Sequence, residues 1–277
     1  MAGSRPGSSS SSNGGAGHSK KPVYNKGPKS GKKLLSVKDM DTAFEHLDQE
    51  LGLNEFSAAI APIRMVTLGG SIAVKTFKSR AATVDVDVIV DPNIEAVSEF
   101  YDAVMWCIEK VAKKNKLEKN WMNDQCKMFF QKGAVRERVF LESVGHDNKM
   151  YSGKHLEIYT VDLRIALERK LRRVLDPDRE ENIDLADAVC FLKHMTSYGT
   201  RPLGIHQCQS MDYNGHKLPV PNEAIRMVQQ RFEKNEDNDP QIQGKQGIVE
   251  MVFDKNQNKW YYKNKQGQTV WVTWKLE

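Results

Sequence analysis

The stretch "GGSIAVKTFKSRAATVDVDVIVD", residues 69–91, decides the fold. It joins a Gly-Gly-Ser turn to a run of valines that carries Asp85 and Asp87. Apolar residues alternate with these two acids over 83–90, which is the period of a β-strand. Both carboxylates are therefore predicted to leave the same face, roughly 6.6 Å apart along the backbone, while the valine face points into a core.

Two interpretations of the acid pair are open. In the first, the strand is half exposed and the acids form its polar outer face. In the second, the pair binds a divalent cation, which relieves the repulsion between the carboxylates. Mg²⁺ (or Mn²⁺) suits this site, because Mg²⁺ is usually held by one or two carboxylates together with substrate phosphates. Such a pair also supports metal-assisted displacement at phosphorus.

The Gly-Gly-Ser turn favours the second interpretation. "IRMVTL" (63–68) predicts a strand that leads directly into Gly69 and Gly70, and a short helix is predicted from Ser71 to Lys78. Between a strand and a helix, backbone N–H groups of such a turn face an anion. Ser71 is a candidate helix cap or phosphate donor. The turn is neither a Walker loop nor a GxGxxG motif, and a turn selected for its backbone shape alone is the alternative.

The remaining patterns predict an α/β (α+β) body with a mixed sheet flanked by helices, followed by further helices and a small β-rich end. Helical patterns occur at 39–53, 93–114, 161–175, 182–195 and near 221–234, and short strand patterns at 138–144 and 155–160. The last thirty residues predict two or three short strands. We divide the chain into a disordered basic Gly/Ser-rich arm (1–38), a main domain (39–197), a linker with one helix (198–247) and an aromatic β-hairpin segment (248–277).

Charge and cysteine content limit the class of protein. The net charge is +5, yet residues 1–38 hold eight Lys/Arg and no acid, whereas the rest of the chain holds 33 bases and 36 acids. The arm is a candidate for contacts with RNA, DNA or acidic proteins, or a solubilising or targeting tail. The four cysteines lack the spacing of zinc ligands, which favours a reducing compartment. Without a long apolar run or an apolar signal segment, we expect no membrane span and a cytoplasmic or nuclear location.

The glycine turn and the acid pair together resemble the signature of the DNA polymerase β-type nucleotidyltransferase superfamily. The form RxxTxDxD, here Arg80, Thr83, Asp85 and Asp87, is similar to the branch that contains the toxins of bacterial abortive-infection systems and related uncharacterised proteins. Two later segments agree with that branch. "NWMND" (120–124) is similar to a WLND-like segment, and "ALERKLRRVLDPDREENIDLADAV" (166–189) is similar to a lysine-bearing helix followed by a KDxxDL-like helix start.

The resemblance covers roughly residues 40–197 and implies a minimal nucleotidyltransferase fold. It implies Mg²⁺-dependent transfer of a nucleotidyl group from a nucleoside triphosphate to an unknown acceptor hydroxyl, with RNA as one candidate acceptor. Asp85 and Asp87 would be the metal ligands and catalytic acids. The nucleotide contacts implied are Gly69, Gly70, Ser71, Arg80, Lys170 and Asp184, with Asp187 one helical turn further on. Lys170 would also be catalytic, because it would offset the charge that builds in the transition state.

The chain departs from the pattern at two points. Ile183 replaces the lysine of the KDxxDL-like motif, and the third catalytic carboxylate has no clear counterpart. Glu157, on a predicted strand, is the first candidate for that acid, with Glu142 behind it. If neither acid reaches the pair, the alternative is a catalytically inactive scaffold or nucleotide-binding interaction protein. Lys170 lies in the basic run "ERKLRR", which a solvated helix face would equally explain.

The C-terminal segment is unusually aromatic. Five aromatic residues lie within fifteen positions: Trp260, Tyr261, Tyr262, Trp271 and Trp274. The turn "NKQGQT" predicts a hairpin with Gly267 near its tip. The segment faintly resembles the second half of a WW domain, which binds proline-rich ligands, although the first tryptophan and the terminal proline of that pattern are missing. The alternative is a hairpin whose aromatic side chains pack on the body or on each other. A protein partner is thus expected to bind either the basic arm or this segment.

Overall fold

The computed structural model describes residues 33–177, 181–234 and 239–275, and it is a mixed α/β structure, as the sequence predicts. The helices are α1 (Val37–Leu53), α2 (Glu55–Ala59), α3 (Pro92–Glu95), α4 (Ser98–Asn115), α5 (Ala134–Gly145), α6 (Leu163–Arg173), α7 (Glu181–Met195), α8 (Ile205–Gln209) and α9 (Asn222–Lys234). The strands are β1 (Leu35–Ser36), β2 (Ile63–Leu68), β3 (Ala82–Thr83), β4 (Val86–Val90), β5 (Met122–Asn123), β6 (Lys149–Ser152), β7 (Leu156–Thr160), β8 (Leu203–Gly204), β9 (Ile248–Val249), β10 (Val252–Asp254), β11 (Lys259–Lys263) and β12 (Thr269–Trp271).

The central sheet has five strands in the order β5-β4-β2-β7-β6. Strand β2 is antiparallel to β4 and parallel to β7, whereas β4 is parallel to β5 and β6 is antiparallel to β7. Helices cover both faces. On one face, side chains of β2 and β4 pack with α1 and α4, and on the other they pack with α5, α6, α7 and α9. Asp87 alternates with Val86 and Val88, so it lies on the face covered by α6.

Several predicted elements are confirmed. Strand β2 occupies the predicted residues 63–68, and β7 and α9 lie within the predicted ranges. The apolar stripe of α1 is fully buried: Met40, Ala43, Phe44, Leu47 and Leu51. Helix α6 begins two residues later than predicted because Asp162 caps it, accepting a hydrogen bond from the backbone N–H of Arg164 at 2.8 Å.

The predicted strand at 83–90 is wrong in its extent. It is divided into β3 and β4, because the chain changes its pairing partner between them. Thr83 pairs with Leu35 of β1, whereas Val86 donates its N–H to the backbone oxygen of Trp121 at 2.7 Å and pairs with β5. Asp85 therefore precedes β4, and Asp87 lies within it.

Two further predictions are wrong. Residues 138–144 form part of helix α5 rather than a strand, with Val139, Phe140 and Ser143 buried at helical spacing. A seven-residue segment with four apolar residues is compatible with either element, and packing against the sheet decides between them. The predicted helix at 93–114 is interrupted: it forms the short helix α3 and then α4.

The boundaries of the predicted segments also shift. Ser36 and Val37, assigned to the arm, form strand β1 and the start of α1, where Ser36 and Asp39 make a capping box. The prediction of disorder for 1–32 lies outside the described residues. The predicted linker contains α8 and α9, and buried side chains such as Cys208 and Phe232 belong to the same core as the sheet.

The aromatic segment forms a separate three-stranded antiparallel sheet in the order β10-β11-β12. Gly267 has a φ of +77° in the turn between β11 and β12, as expected for a glycine at a hairpin tip. In the part of the chain that the structure describes, no helix is long and apolar enough to cross a membrane.

Candidate active site

The antiparallel register of β2 and β4 brings the second acid to the glycine turn. Leu68, the last residue of β2, pairs with Asp87. Gly69 follows with a φ of +79°, and a Cβ added there would lie 3.2 Å from Oδ2 of Asp87. A residue with a side chain would be strained by the positive φ and crowded by the carboxylate. The glycine turn and the second acid of the sequence motif are thus adjacent in the fold.

Gly70 is needed for a different reason, because other side chains cover it. A Cβ at this position would lie only 2.4 Å from Oγ1 of Thr83 and 3.0 Å from Nη2 of Arg80. Arg80 is held in place by a hydrogen bond from its Nε to the backbone oxygen of Ala82 at 3.0 Å. The RxxT portion of the motif therefore packs directly on the turn.

The hydroxyl of Ser71 does not cap the following helix. Ser71 is fully buried, donates to the backbone oxygen of Leu68 at 3.1 Å and lies 2.8 Å from Oγ1 of Thr67. The predicted helix from Ser71 is a π-helical turn over Ile72–Thr76. The predicted roles of Ser71 as a side-chain cap or as a phosphate donor do not fit this geometry, because its hydroxyl stabilises the turn from inside.

Asp87 faces the cationic side of α6. Burial raises the pKa of this carboxyl, and the positive charges of Arg169, Arg173 and Lys170 act in the opposite direction. Among the described residues, none donates a hydrogen bond to the Asp87 carboxylate. A largely buried acid with nearby positive charge but no hydrogen-bond donor is costly to keep, and such acids concentrate at functional sites.

Lys170 is the centre of a buried ion-pair network. Its Nζ lies 2.5 Å from Oδ1 of Asp184 and 2.8 Å from Oδ2 of Asp187, and its side chain is 5% exposed. Arg173 contacts the other oxygen of Asp184 at 3.4 Å, and Arg80 contacts Asp187 at 3.2 Å. We call these five residues together with Asp87 and Arg169 the charge cluster. The interpretation of Lys170 as part of a solvated helix face is wrong, because the ammonium is buried and paired.

Arg169 and Arg173 are members of the charge cluster that the sequence motifs did not indicate. The Arg169 guanidinium lies 4.5 Å from the ring centroid of Phe129 and 5.7 Å from that of Phe130. Burial lowers the pKa of Arg169, which the neighbouring Cys126 and Asp87 oppose. The run "ERKLRR" was the available signal, since buried positions within a basic run require a partner of opposite charge.

The sequence assigns Asp85, which precedes β4, and Asp87, which lies within β4, to a metal ion. Among the residues described, no group of three or more His, Cys, Asp or Glu side chains is arranged to hold one. Mg²⁺ is commonly held by one or two carboxylates, with substrate phosphates and water as the other ligands. The carboxylate of Asp87, which accepts no hydrogen bond from the described part of the chain, fits such a role.

Neither candidate for the third carboxylate lies beside the pair. Glu157 pairs in register with Arg64, four residues before Leu68, which places it about 13 Å along the sheet from the row of Asp87. It is bound there by Lys149 at 2.8 Å and by the hydroxyl of Tyr159 at 2.7 Å. Glu142 lies on α5 and lines a cavity whose lining includes neither Asp85 nor Asp87. The prediction that Glu157 is the third acid beside Asp87 therefore does not fit the structure, because the direction and register of β7 place it too far along the sheet.

The segment "NWMND" lies beside Asp87. Asn123 of β5 is the register partner of Asp87 and is buried. The neighbouring Asp124 is occupied by Lys127 at 2.6 Å and by the hydroxyl of Tyr101. The segment thus supplies an edge strand next to Asp87, with its acid bound elsewhere.

A large cavity is lined by none of the residues of the charge cluster. Its volume is about 990 Å³, and it is lined by residues at the end of β7, the start of α6, helix α5, the loops around α8 and Trp274. None of the predicted nucleotide or metal contacts is among the residues that line it. No motif in the sequence indicated this cavity.

The C-terminal aromatic residues divide between the two faces of their sheet. Tyr262 and Trp274 pack with Val249 and Met251, whereas Tyr261 and Trp271 form an edge-to-face pair at 5.5 Å on the other face. Trp271 is 39% exposed. The aromatic side chains thus contact one another, as one of the two interpretations expected.

Comparisons with protein-family models, with curated proteins and with solved structures found no match to this chain.

Proposed function

We propose that the chain is a Mg²⁺-dependent nucleotidyltransferase that moves a nucleotidyl group from a nucleoside triphosphate to an acceptor hydroxyl. The observation that carries the proposal is the meeting of Asp87 with the glycine turn: Oδ2 lies 3.2 Å from the position of a Cβ at Gly69. In a strand–glycine–helix connection, a phosphate that binds the backbone of such a turn is brought next to that carboxylate. A metal held by the acid and the phosphate together would then be correctly placed.

Each residue of the site has a role in this proposal. Asp85 and Asp87 hold the metal, and the backbone of Gly70, which is half-buried whereas Ser71 is fully buried, faces the triphosphate. Bound Mg²⁺ neutralises phosphate charge and orients an in-line displacement at the α-phosphorus. Arg169 and Arg173 provide a positive field at Asp87. Lys170, which is held by Asp184 and Asp187, positions α6 against α7 rather than contacting the phosphate directly.

The test is isothermal titration calorimetry of the full chain with each of the four ribonucleoside triphosphates in Mg²⁺. We expect binding of at least one of them, and a loss of at least tenfold in affinity, about 1.4 kcal/mol, in Asp85→Asn/Asp87→Asn. The matched control is Asp102→Asn/Asp147→Asn, which removes two acids from the exposed surface. The proposal fails if no nucleotide binds, or if binding is the same in EDTA and in Mg²⁺.

A second candidate function is a nucleotide-binding scaffold without catalysis. The observation that favours it is the placement of Glu157 and Glu142 away from the acid pair. Transfer assays with α-labelled triphosphates and total RNA as acceptor separate the two candidates. Label that moves to RNA or to the protein itself supports the enzyme, and Mg²⁺-dependent binding without any transfer supports the scaffold.

The acceptor and the partners belong to the proposal as well. RNA is the proposed acceptor, and the basic arm at 1–38 is the part of the chain whose charge suits it. The aromatic pair of half-buried Tyr261 and exposed Trp271 is the proposed contact for a protein partner. A cytoplasmic or nuclear location is consistent with these proposals.

A further inference from the structure

The cavity of about 990 Å³ is a second site on the molecule, built by segments that are distant in the sequence. Its floor is the carboxyl end of β7, from Thr160 to Asp162. This edge of the sheet also carries the glycine turn, since the N–H of Val161 bonds to the backbone oxygen of Thr67 at 2.8 Å. Ligands of α/β sheets bind preferentially in crevices outside the carboxyl ends of strands.

The acid on the cavity floor is already neutralised. Arg164 binds both oxygens of Asp162, at 2.6 Å from Nη2 and 3.1 Å from Nε, and His146 binds it at 2.8 Å. Burial acts to raise the pKa of Asp162, but the hydrogen bonds from the side chain and backbone of Arg164 outweigh it and lower the pKa. Asp162 therefore holds the wall of the cavity together rather than offering a free negative charge.

Two other arginines that line the cavity differ from Arg164, whose guanidinium is bound to Asp162. Arg138 on α5 and Arg201 after α7 both line the cavity and are exposed. In the described ranges, neither side chain makes a hydrogen bond or an ion pair. A guanidinium presents a planar fork of donors that matches a phosphate or carboxylate. These two are available to an anion that enters the cavity.

The cavity also offers surfaces for a ring. Tyr213 and Trp274 line it, and Trp274 is steadied by an edge contact with Tyr262 at 6.4 Å. Its apolar lining includes Leu163 and Met211. A volume near 1,000 Å³ is at the upper end of the range for small-molecule sites, so a ring and an anionic group fit together.

We propose that this cavity binds a mononucleotide, with its phosphate on Arg138 and Arg201 and its base against Trp274 and Tyr213. A polynucleotide chain is the less favoured occupant, because two carboxylates, those of Glu142 and Asp212, line the cavity in addition to the neutralised Asp162. They would repel a run of phosphates but tolerate a single one. The site goes beyond the proposed transferase function and needs no metal ion.

The test is titration of the full chain, in EDTA, with three probes: adenosine 5′-monophosphate, adenosine and inorganic phosphate. We expect the monophosphate to bind and the other two to bind at least tenfold more weakly, because each lacks one half of the recognised group. Arg138→Ala/Arg201→Ala should weaken binding of the monophosphate at least tenfold. Arg226→Ala, which removes an exposed arginine of α9 outside the cavity, should leave it unchanged.

The outcomes separate this proposal from the transferase site. Binding in EDTA that survives in Asp85→Asn/Asp87→Asn but is lost in Arg138→Ala/Arg201→Ala supports the cavity, whatever the fate of Mg²⁺-dependent triphosphate binding. The proposal is overturned if the monophosphate does not bind in EDTA, if the arginine variant binds it normally, or if the aspartate variant abolishes its binding.

Discussion

Nη1 of Arg80 lies 3.2 Å from Oδ2 of Asp187, although the two residues are 107 positions apart in the chain. Both side chains are largely buried, with exposures of 16% and 3%. The same guanidinium covers Gly70, so the contact connects the glycine turn to helix α7. The conformation of the turn therefore depends on a helix from a distant part of the sequence.

This contact can be measured by a double-mutant cycle of Arg80→Met and Asp187→Asn. Residues in one buried ionic network couple by about 0.5–3 kcal/mol, and we expect a coupling free energy of about 1–2 kcal/mol from urea unfolding at pH 7. The control cycle uses the exposed pair of Lys119 and Glu109, which lies at 2.8 Å. Exposed pairs contribute about 0–1 kcal/mol. Equal coupling in the two cycles would contradict the structural role of Arg80.

Removal of the central cation should be more costly. Lys170→Met leaves Asp184 and Asp187 buried without their ammonium, and breaking such a pair typically costs about 3–5 kcal/mol of unfolding free energy. Adding Asp184→Asn to this variant should recover part of the loss, because it removes one of the two buried carboxylates that lost the ammonium. Urea unfolding gives both values. If Lys170→Met is as stable as the original chain, the ion pairs of Lys170 with Asp184 and Asp187 do not stabilise the fold as expected.

The two glycine-to-alanine substitutions that follow test the crowding around the turn. In Gly70→Ala the new Cβ would meet Thr83 and Arg80, so we expect a destabilisation of about 1–3 kcal/mol, as for overpacked cores. Gly145→Ala, in helix α5, is the control, since a Cβ there meets nothing within 4 Å. It should be neutral or slightly stabilising. Similar losses of unfolding free energy in the two variants would contradict the crowding of Gly70 by Thr83 and Arg80.

Asp87 and Asp162 should respond to pH with opposite signs. Burial raises the folded-state pKa of Asp87, so the stability linked to its proton is present at low pH and lost as the pH rises through that raised value. Asp87→Asn should therefore be more stable than the original chain at pH 7, and this advantage should shrink toward pH 4. The lowered pKa of Asp162 has the reverse effect, so Asp162→Asn should lose stability throughout this range.

Urea unfolding midpoints of both variants between pH 7 and pH 4 check this prediction. A destabilised Asp87→Asn at pH 7 would mean that attraction to Arg169, Arg173 and Lys170 outweighs the burial of the carboxylate. The comparison with Asp162 controls for the general effect of acid on the protein.

Glu157→Gln tests the corrected position of this acid. Hydrogen bonds from Lys149 and then Tyr159 lower its pKa at the start of β7. The substitution should change the unfolding free energy by less than about 1 kcal/mol, as for partly exposed ion pairs. It should leave Mg²⁺-dependent nucleotide binding, measured by calorimetry, unchanged. A loss of nucleotide binding comparable to that of Asp87→Asn would place Glu157 in the site after all.

Local patterns predicted most of the regular structure. Strand β2, helix α9 and the buried stripe of α1 follow from periodicity, because each buries one face over several residues. The predictions fail in short segments whose local pattern is compatible with more than one arrangement of the backbone. Residues 138–144 became a helix and 83–90 became two strands, since pairing and packing with distant elements outweigh local preference.

The sequence by itself determined the class of fold, the glycine turn and the acid pair that follows it, because strand period and backbone freedom are local properties. The tertiary structure alone decided which groups surround that pair. Strand register carried Glu157 away from Asp87, and the packing of α6 on α7 buried Lys170 between two aspartates. Register and helix packing depend on contacts between distant residues, and spacing along the chain does not contain them.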